Sequence, residues 1–79
     1  MDRQEILNQV TQVFIDTLDE ENTTLTESST ADDVEGWDSL THVQLVVAVE
    51  KKFKIRFAAK EIQSWKNVGE LINSISSKL

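Results

Sequence analysis

Asp38, Ser39 and His42 are the three residue types of a hydrolytic triad, and Ser39 and His42 stand at i, i+3, near enough to touch on one helix. Hydrolysis is nevertheless not the chemistry this spacing favours. Asp38 is a good helix N-cap, and His42 falls toward the buried side of the helix that follows. No motif supplies an oxyanion hole or a cleft that excludes water, so no catalytic residue is expected. Gly36 can take a backbone conformation that other residues resist, so Gly36-Trp37-Asp38-Ser39 reads as a turn that opens a helix with Ser39 as its first residue. A serine there faces solvent close to the partial positive charge of the helix N-terminus, where a phosphate is favourably placed. The chemistry to expect is phosphate attachment at Ser39. Asp32, Asp33, Glu35 and Asp38 could collect divalent cations, which suit carboxylate ligands, but their spacing is not that of a calcium loop. A solvated acidic surface without a metal site is the expected reading.

The elements that must position Ser39 follow from the apolar periodicity. Ile6, Leu7, Val10, Val13, Phe14 and Leu18 recur at helical spacing behind a capping box of Asp2 and Glu5, predicting a first amphipathic helix that ends near Asp19. Residues 20–35 are polar and predict a long loop with Leu25 and Val34 as its anchors. From Ser39 to about Lys52 a second helix puts His42, Leu45, Val46, Val49 and Phe53 on its core face. Leu40 and Val47 fall on another face with Gln44 and Lys51, which leaves two sizeable apolar side chains at the surface beside Ser39. Lys54 to Ala58 reads as a connector with Ile55 and Phe57 turned inward, and Ala58 or Ala59 to Ser64 as a brief third helix. Asn67 and Glu70 form another capping-box pair, opening a last helix with the stripe Val68, Leu71, Ile72, Ile75 and Leu79. No period-two alternation argues for a sheet. The expected fold is all-α: a four-helix bundle of three longer helices and one short helix III, with a long loop between helices I and II, in a single domain over residues 1–79.

Length and composition bound the function. A chain of 79 residues buries a few apolar stripes and is too short for a deep catalytic cleft plus its scaffold. It contains no cysteine, which excludes disulfides and thiolate metal sites. No apolar run approaches a membrane span and the first residues do not resemble a signal peptide, so a cytoplasmic protein is expected. The net charge of −6 argues against nucleic acid and anionic membrane as partners. That charge is uneven: residues 1–50 hold twelve acids and one base, for −11, and residues 51–79 hold two acids and seven bases, for +5. The acidic part includes Ser39, toward which a basic partner surface would be steered.

Asp38, Ser39 and Leu40, followed by Val43, Leu45, Val46 and Phe53, resemble the acyl carrier protein family, and Ile55, Phe57, Glu61, Ile62, Val68 and Ile72 extend the resemblance without a gap over nearly the whole chain. The resemblance implies a carrier rather than an enzyme. The serine matching Ser39 is esterified in that family with 4′-phosphopantetheine taken from coenzyme A, whose thiol holds acyl groups as thioesters. A separate phosphopantetheinyl transferase supplies the coenzyme, metal and base, so an unactivated serine is what this reading requires. Partner enzymes of the family, which load and process acyl groups, read the second helix. On that basis Asp38 is expected to cap the helix and touch the transferase, and Leu40, Gln44, Val47 and Lys51 to form the partner surface of a monomer.

Departures from the family pattern narrow the reading. Carriers of fatty-acid synthesis usually show an acid just after Asp-Ser-Leu and acids along the second helix, where this chain has Thr41, Gln44, Lys51 and Lys52. Trp37 before Asp38 resembles stand-alone carriers of specialised pathways. Trp65 stands where the family commonly has a smaller aliphatic residue beside the acyl cavity, so its indole is expected either to fill the core or to shorten the pocket and favour short or polar acyl groups. The matching position of His42 borders the mouth of that cavity. Two other readings stay open at this point: a peptidyl or aminoacyl carrier, and an unmodified helical adaptor that binds a partner through Leu40 and Val47.

Overall fold

Four helices account for the regular structure of the computed structural model, which describes all of residues 1–79: α1 (Arg3–Leu18), α2 (Ser39–Phe53), α3 (Ala59–Ser64) and α4 (Val68–Lys78). α1, α2 and α4 begin at a side-chain cap, whereas α3 follows Ala58, which offers none, and there the Glu61 carboxylate accepts the Ala58 N–H at 2.9 Å. The Asp2 carboxylate accepts the Glu5 N–H at 2.8 Å to open α1, and the Asn67 side-chain oxygen accepts the Glu70 N–H at 3.0 Å to open α4. Neither start is the reciprocal box expected from the sequence. At α4 the Glu70 carboxylate reaches past Asn67 to the backbone N–H of Lys66, and at α1 only the Asp2 half forms. The helix gains its orphan N–H partner either way, since one side-chain acceptor suffices for the cap.

Ile6, Val10, Val13 and Phe14 of α1 meet Leu45, Val49 and Phe53 of α2 and Val68, Leu71, Ile72 and Ile75 of α4 in one apolar core. Helical spacing brings each set to one face, and burying a side chain of this kind contributes about 1.5–3 kcal/mol. Leu79, expected to end the α4 stripe, is 55 % exposed. It lies past the last helical residue, Lys78, where the chain has left the groove.

Residues 20–35 form no helix yet are held firmly. Leu25 and Val34 are buried in the core, as their isolated apolar character suggested. The buried Ser29 hydroxyl accepts the Thr26 N–H, while the carbonyls of Ser29 and Glu27 accept the N–H groups of Val68 and Gly69 at 2.9 and 2.7 Å. The loop thereby supplies acceptors to the start of α4 that the helix itself cannot offer. Gly69 allows the approach: a Cβ there would stand 2.9 Å from the Glu27 carbonyl oxygen. Arg3 fastens the other side of the loop, pairing with Glu27 and donating to the Asn73 side chain at 2.6 Å.

Candidate functional site

The turn before α2 is built as its residue types require. Gly36 has φ +87, a left-handed conformation that a side chain would strain. Asp38 is the N-cap, its Oδ1 accepting the N–H groups of Leu40 at 3.0 Å and Thr41 at 2.9 Å. These bonds, the one from Thr41 foremost, hold its carboxyl below the usual range and keep it ionised. Thr41 completes the box from the other side. Its hydroxyl donates to the Gly36 carbonyl at 2.7 Å and accepts the Asp38 N–H at 2.8 Å. Thr41 stands where fatty-acid-synthesis carriers usually show an acid, and its place three residues after the cap is the signal in the sequence that it can close the box.

Ser39 follows as the first helical residue, exposed, and its hydroxyl takes no part in the bonds that fix the turn. It is not paired with His42. The imidazole Nδ1 instead accepts the indole N–H of Trp37 at 3.1 Å, and the Asp38 carboxylate is committed to the cap, so the three triad-type residues do not form a triad. The rings of Trp37 and His42 are tilted by only 18° with centroids 6.0 Å apart, an edge-to-edge arrangement that suits this bond. Partial burial pushes the His42 pKa down, and the acceptor role at Nδ1 requires the neutral ring.

Three rings close the space behind Ser39. Trp65 meets His42 edge-on at 6.2 Å and Phe57 at 4.8 Å, with its indole N–H held by the Ser74 hydroxyl at 2.8 Å. Trp37 packs edge-on against Phe14 at 4.9 Å. Beneath them, against Val49 and Leu71, remains a cavity of about 10 Å³. Outside them lies an open groove of about 280 Å³ that includes Ser39 in its wall.

Along the outer face of α2, Leu40 is 77 % exposed and Val47 43 %, with Gln44 and Lys51 exposed between and beyond them. Val43, 62 % exposed, widens this apolar strip and escaped the sequence reading of the surface. Its helical position, one turn before Val47 and three residues after Leu40, was the available signal. The four acids near the turn do not converge: Asp33 caps the Thr30 N–H at 3.0 Å, Asp38 caps α2, and no three such residues group to hold a metal ion.

Ser39 thus stands exposed at a capped helix start, inside a bundle of four helices joined by a long pinned loop. Residues 8–75 match the family described as a phosphopantetheine attachment site. The acyl carrier protein of Petrotoga mobilis is 36 % identical over 81 residues, covering 100 % of this chain and 93 % of the relative. That of Caulobacter vibrioides is 32 % identical over 74 residues, covering 94 % and 95 %. The solution structure of a holo acyl carrier protein from Geobacter metallireducens superimposes with a TM-score of 0.85 at 39 % identity, covering 91 % of this chain and 83 % of that one. The chain belongs to the acyl carrier protein family. It is a carrier without catalysis of its own, its prosthetic group is phosphopantetheine, and its partners are a phosphopantetheinyl transferase and enzymes that handle acyl groups. No helix is long and apolar enough to cross a membrane.

Proposed function

We propose that Ser39 is the residue that carries the phosphopantetheine, and that this chain acts in the cytoplasm as a monomeric, single-domain carrier for an assembly line of fatty-acid, polyketide or other specialised type. The observation that carries the reading is the exposed Ser39 hydroxyl at the start of α2, free of the hydrogen bonds that fix the turn around it. Such a site fits the group. A phosphodiester on Ser39 would lie at the positive end of a helix of 15 residues, and the rigid turn costs nothing further to order. In the transfer, the bond from Ser39 Oγ to phosphorus forms as the phosphoanhydride of coenzyme A breaks. Adenosine 3′,5′-bisphosphate leaves, and the serine proton passes to a base on the transferase. When bound, the group supplies a thiol that holds acyl groups as thioesters.

The remaining residues orient partners. Asp38 fixes the turn that a transferase must accept, and Leu40, Val43 and Val47 offer a contiguous exposed apolar strip for a partner to cover, flanked by Gln44 and Lys51. The cations Lys51 and Lys52, where fatty-acid carriers bear acids, favour specialised partners. The test is the rate of phosphopantetheine transfer to Val47→Arg beside the parent. We expect a loss of about tenfold or more in kcat/KM, in line with about 1.4 kcal/mol or more for a buried anchor, and an unchanged melting temperature. Equal rates would remove Val47 from the docking surface.

A further inference from the structure

The space available to a cargo differs sharply on the two sides of the Trp37–His42–Trp65 lid. Inside, about 10 Å³ remains, room for one water at most, which needs about 10–15 Å³, and far less than an alkyl chain fills. Three separate attachments hold the lid shut: Trp37 on His42, Trp65 on Ser74, and the edge-on packing of Trp65 against Phe57. Opening the core to an alkyl chain would break these and displace two half-buried indoles that pack against the core. Outside, the groove of about 280 Å³ lies near the lower bound of ligand clefts, roughly 300 Å³.

The walls of that groove are chemically specific. Trp37 and Trp65 give it aromatic sides, and His42 and Lys66 give it donors. Because His42 Nδ1 accepts from Trp37, the neutral ring carries its proton on Nε2, and that N–H has no protein partner and is open to solvent. The ion pairs of the molecule, Arg3–Glu27 and Lys78–Glu61, leave the Lys66 ammonium free. One acid, Asp38, lies on the rim, and the phosphodiester on Ser39 would add a second negative charge to the same wall; the positive end of α2, which holds the Asp38 carboxylate through the Leu40 and Thr41 N–H groups, and the Lys66 ammonium stand against these two.

Resting on the assignment of Ser39, we propose that this outer groove receives a short acyl cargo ending in an oxygen acceptor, a carboxylate above all, and that the Trp37–His42–Trp65 lid excludes alkyl chains from the core. A terminal carboxylate would take the Nε2–H of His42 and the Lys66 ammonium, while its short methylene stem lies between the indoles. Charge-assisted bonds of this kind are about twice as strong as neutral ones, which makes the carboxylate the preferred end group.

The experiment loads the chain with succinyl, butyryl or octanoyl cargo from the corresponding coenzyme A thioesters, using a broad-specificity transferase, and confirms each product by intact mass. Nuclear magnetic resonance then reads the indole N–H signals of Trp37 and Trp65 and the methyl signals of Val49 and Leu71. Succinyl cargo should move both indole signals, butyryl cargo should move them by roughly half as much or less, and Lys66→Ala should bring the two together, as loss of the charged partner requires. Octanoyl cargo should leave the Val49 and Leu71 methyls in place in the parent chain and move them in Trp65→Ile. Core methyls that shift with octanoyl in the parent, or succinyl and butyryl spectra that coincide at the indoles, would overturn the proposal. A chain that takes up none of the three cargoes by mass would instead defeat the assignment of Ser39, and this proposal with it.

Discussion

His42 links the chemistry of the site to its stability. In the folded chain its pKa is pushed below the ordinary value of about 6.5 by burial, and its Nδ1 must stay unprotonated to accept the Trp37 N–H. The unfolded chain therefore binds more protons than the folded one once the pH drops below about 6.5, and stability rises with pH across that window. The carboxyl groups of Glu27, Asp38 and Glu61, also held low, lose their contribution only at more acidic pH, through the range of about 4 and below. We expect the melting temperature to fall between pH 7 and 5, and His42→Phe to flatten that slope. A parent profile level over this interval would contradict the role given to the Trp37–His42 bond. Position alone placed His42 at the edge of the core; that Trp37 would be its partner, five residues earlier across the turn, depended on a backbone path set by Gly36 that no periodicity reports.

At the scale of elements, α2 is held at both ends by residues of different quality. Its start has Asp38 and Thr41 in a reciprocal box, whereas its end is Lys54, a non-glycine residue at φ 58, ψ 48. The left-handed conformation costs such a residue about 1 kcal/mol or more relative to glycine. Lys54→Gly is therefore expected to stabilise the fold by roughly 0.5–1 kcal/mol and to raise the melting temperature by a few degrees, read by calorimetry. An unchanged or lower value would show that the Lys54 side chain contributes more than its backbone costs. The apolar faces of α1, α2 and α4 were legible in the sequence, Leu79 apart, because the helical spacing of Ile6, Val10, Val49 and Ile72 repeats over several turns; α3 is six residues long and buries none of them. The loop of residues 20–35 was legible only through Leu25 and Val34. Its remaining ties are backbone carbonyls of Glu27 and Ser29 bonded to Gly69 and Val68, and a carbonyl leaves no mark on residue type. Gly69 was the one trace of that contact, and within a helical stripe it reads as a weak helix former.

The charge of the molecule is divided unevenly along the chain. Residues 1–50 carry −11 and residues 51–79 carry +5, within a body of 28 × 24 × 22 Å, comparable to a few Debye lengths at physiological salt of about 8 Å each. Glu20, Asp33 and Glu35 line one open groove of the loop, Asp32 stands exposed next to Asp33 in the sequence, and none has a basic partner among the ion pairs. Their mutual repulsion should make the fold more stable at moderate than at low ionic strength, and magnesium should act at lower concentration than sodium. Melting temperatures that do not change from low to moderate salt would dismiss the repulsion as a term in stability. The same field should draw a basic partner surface to the Ser39 end of α2.

Everything said of cargo and partners depends on Ser39. The most direct measurement is the intact mass of the chain after incubation with coenzyme A, magnesium and a broad-specificity phosphopantetheinyl transferase, beside Ser39→Ala treated in the same way. The parent should gain a single phosphopantetheine and the variant none, with both folded. Addition to the variant, or a folded parent that several transferases leave unmodified, would contradict the assignment of Ser39.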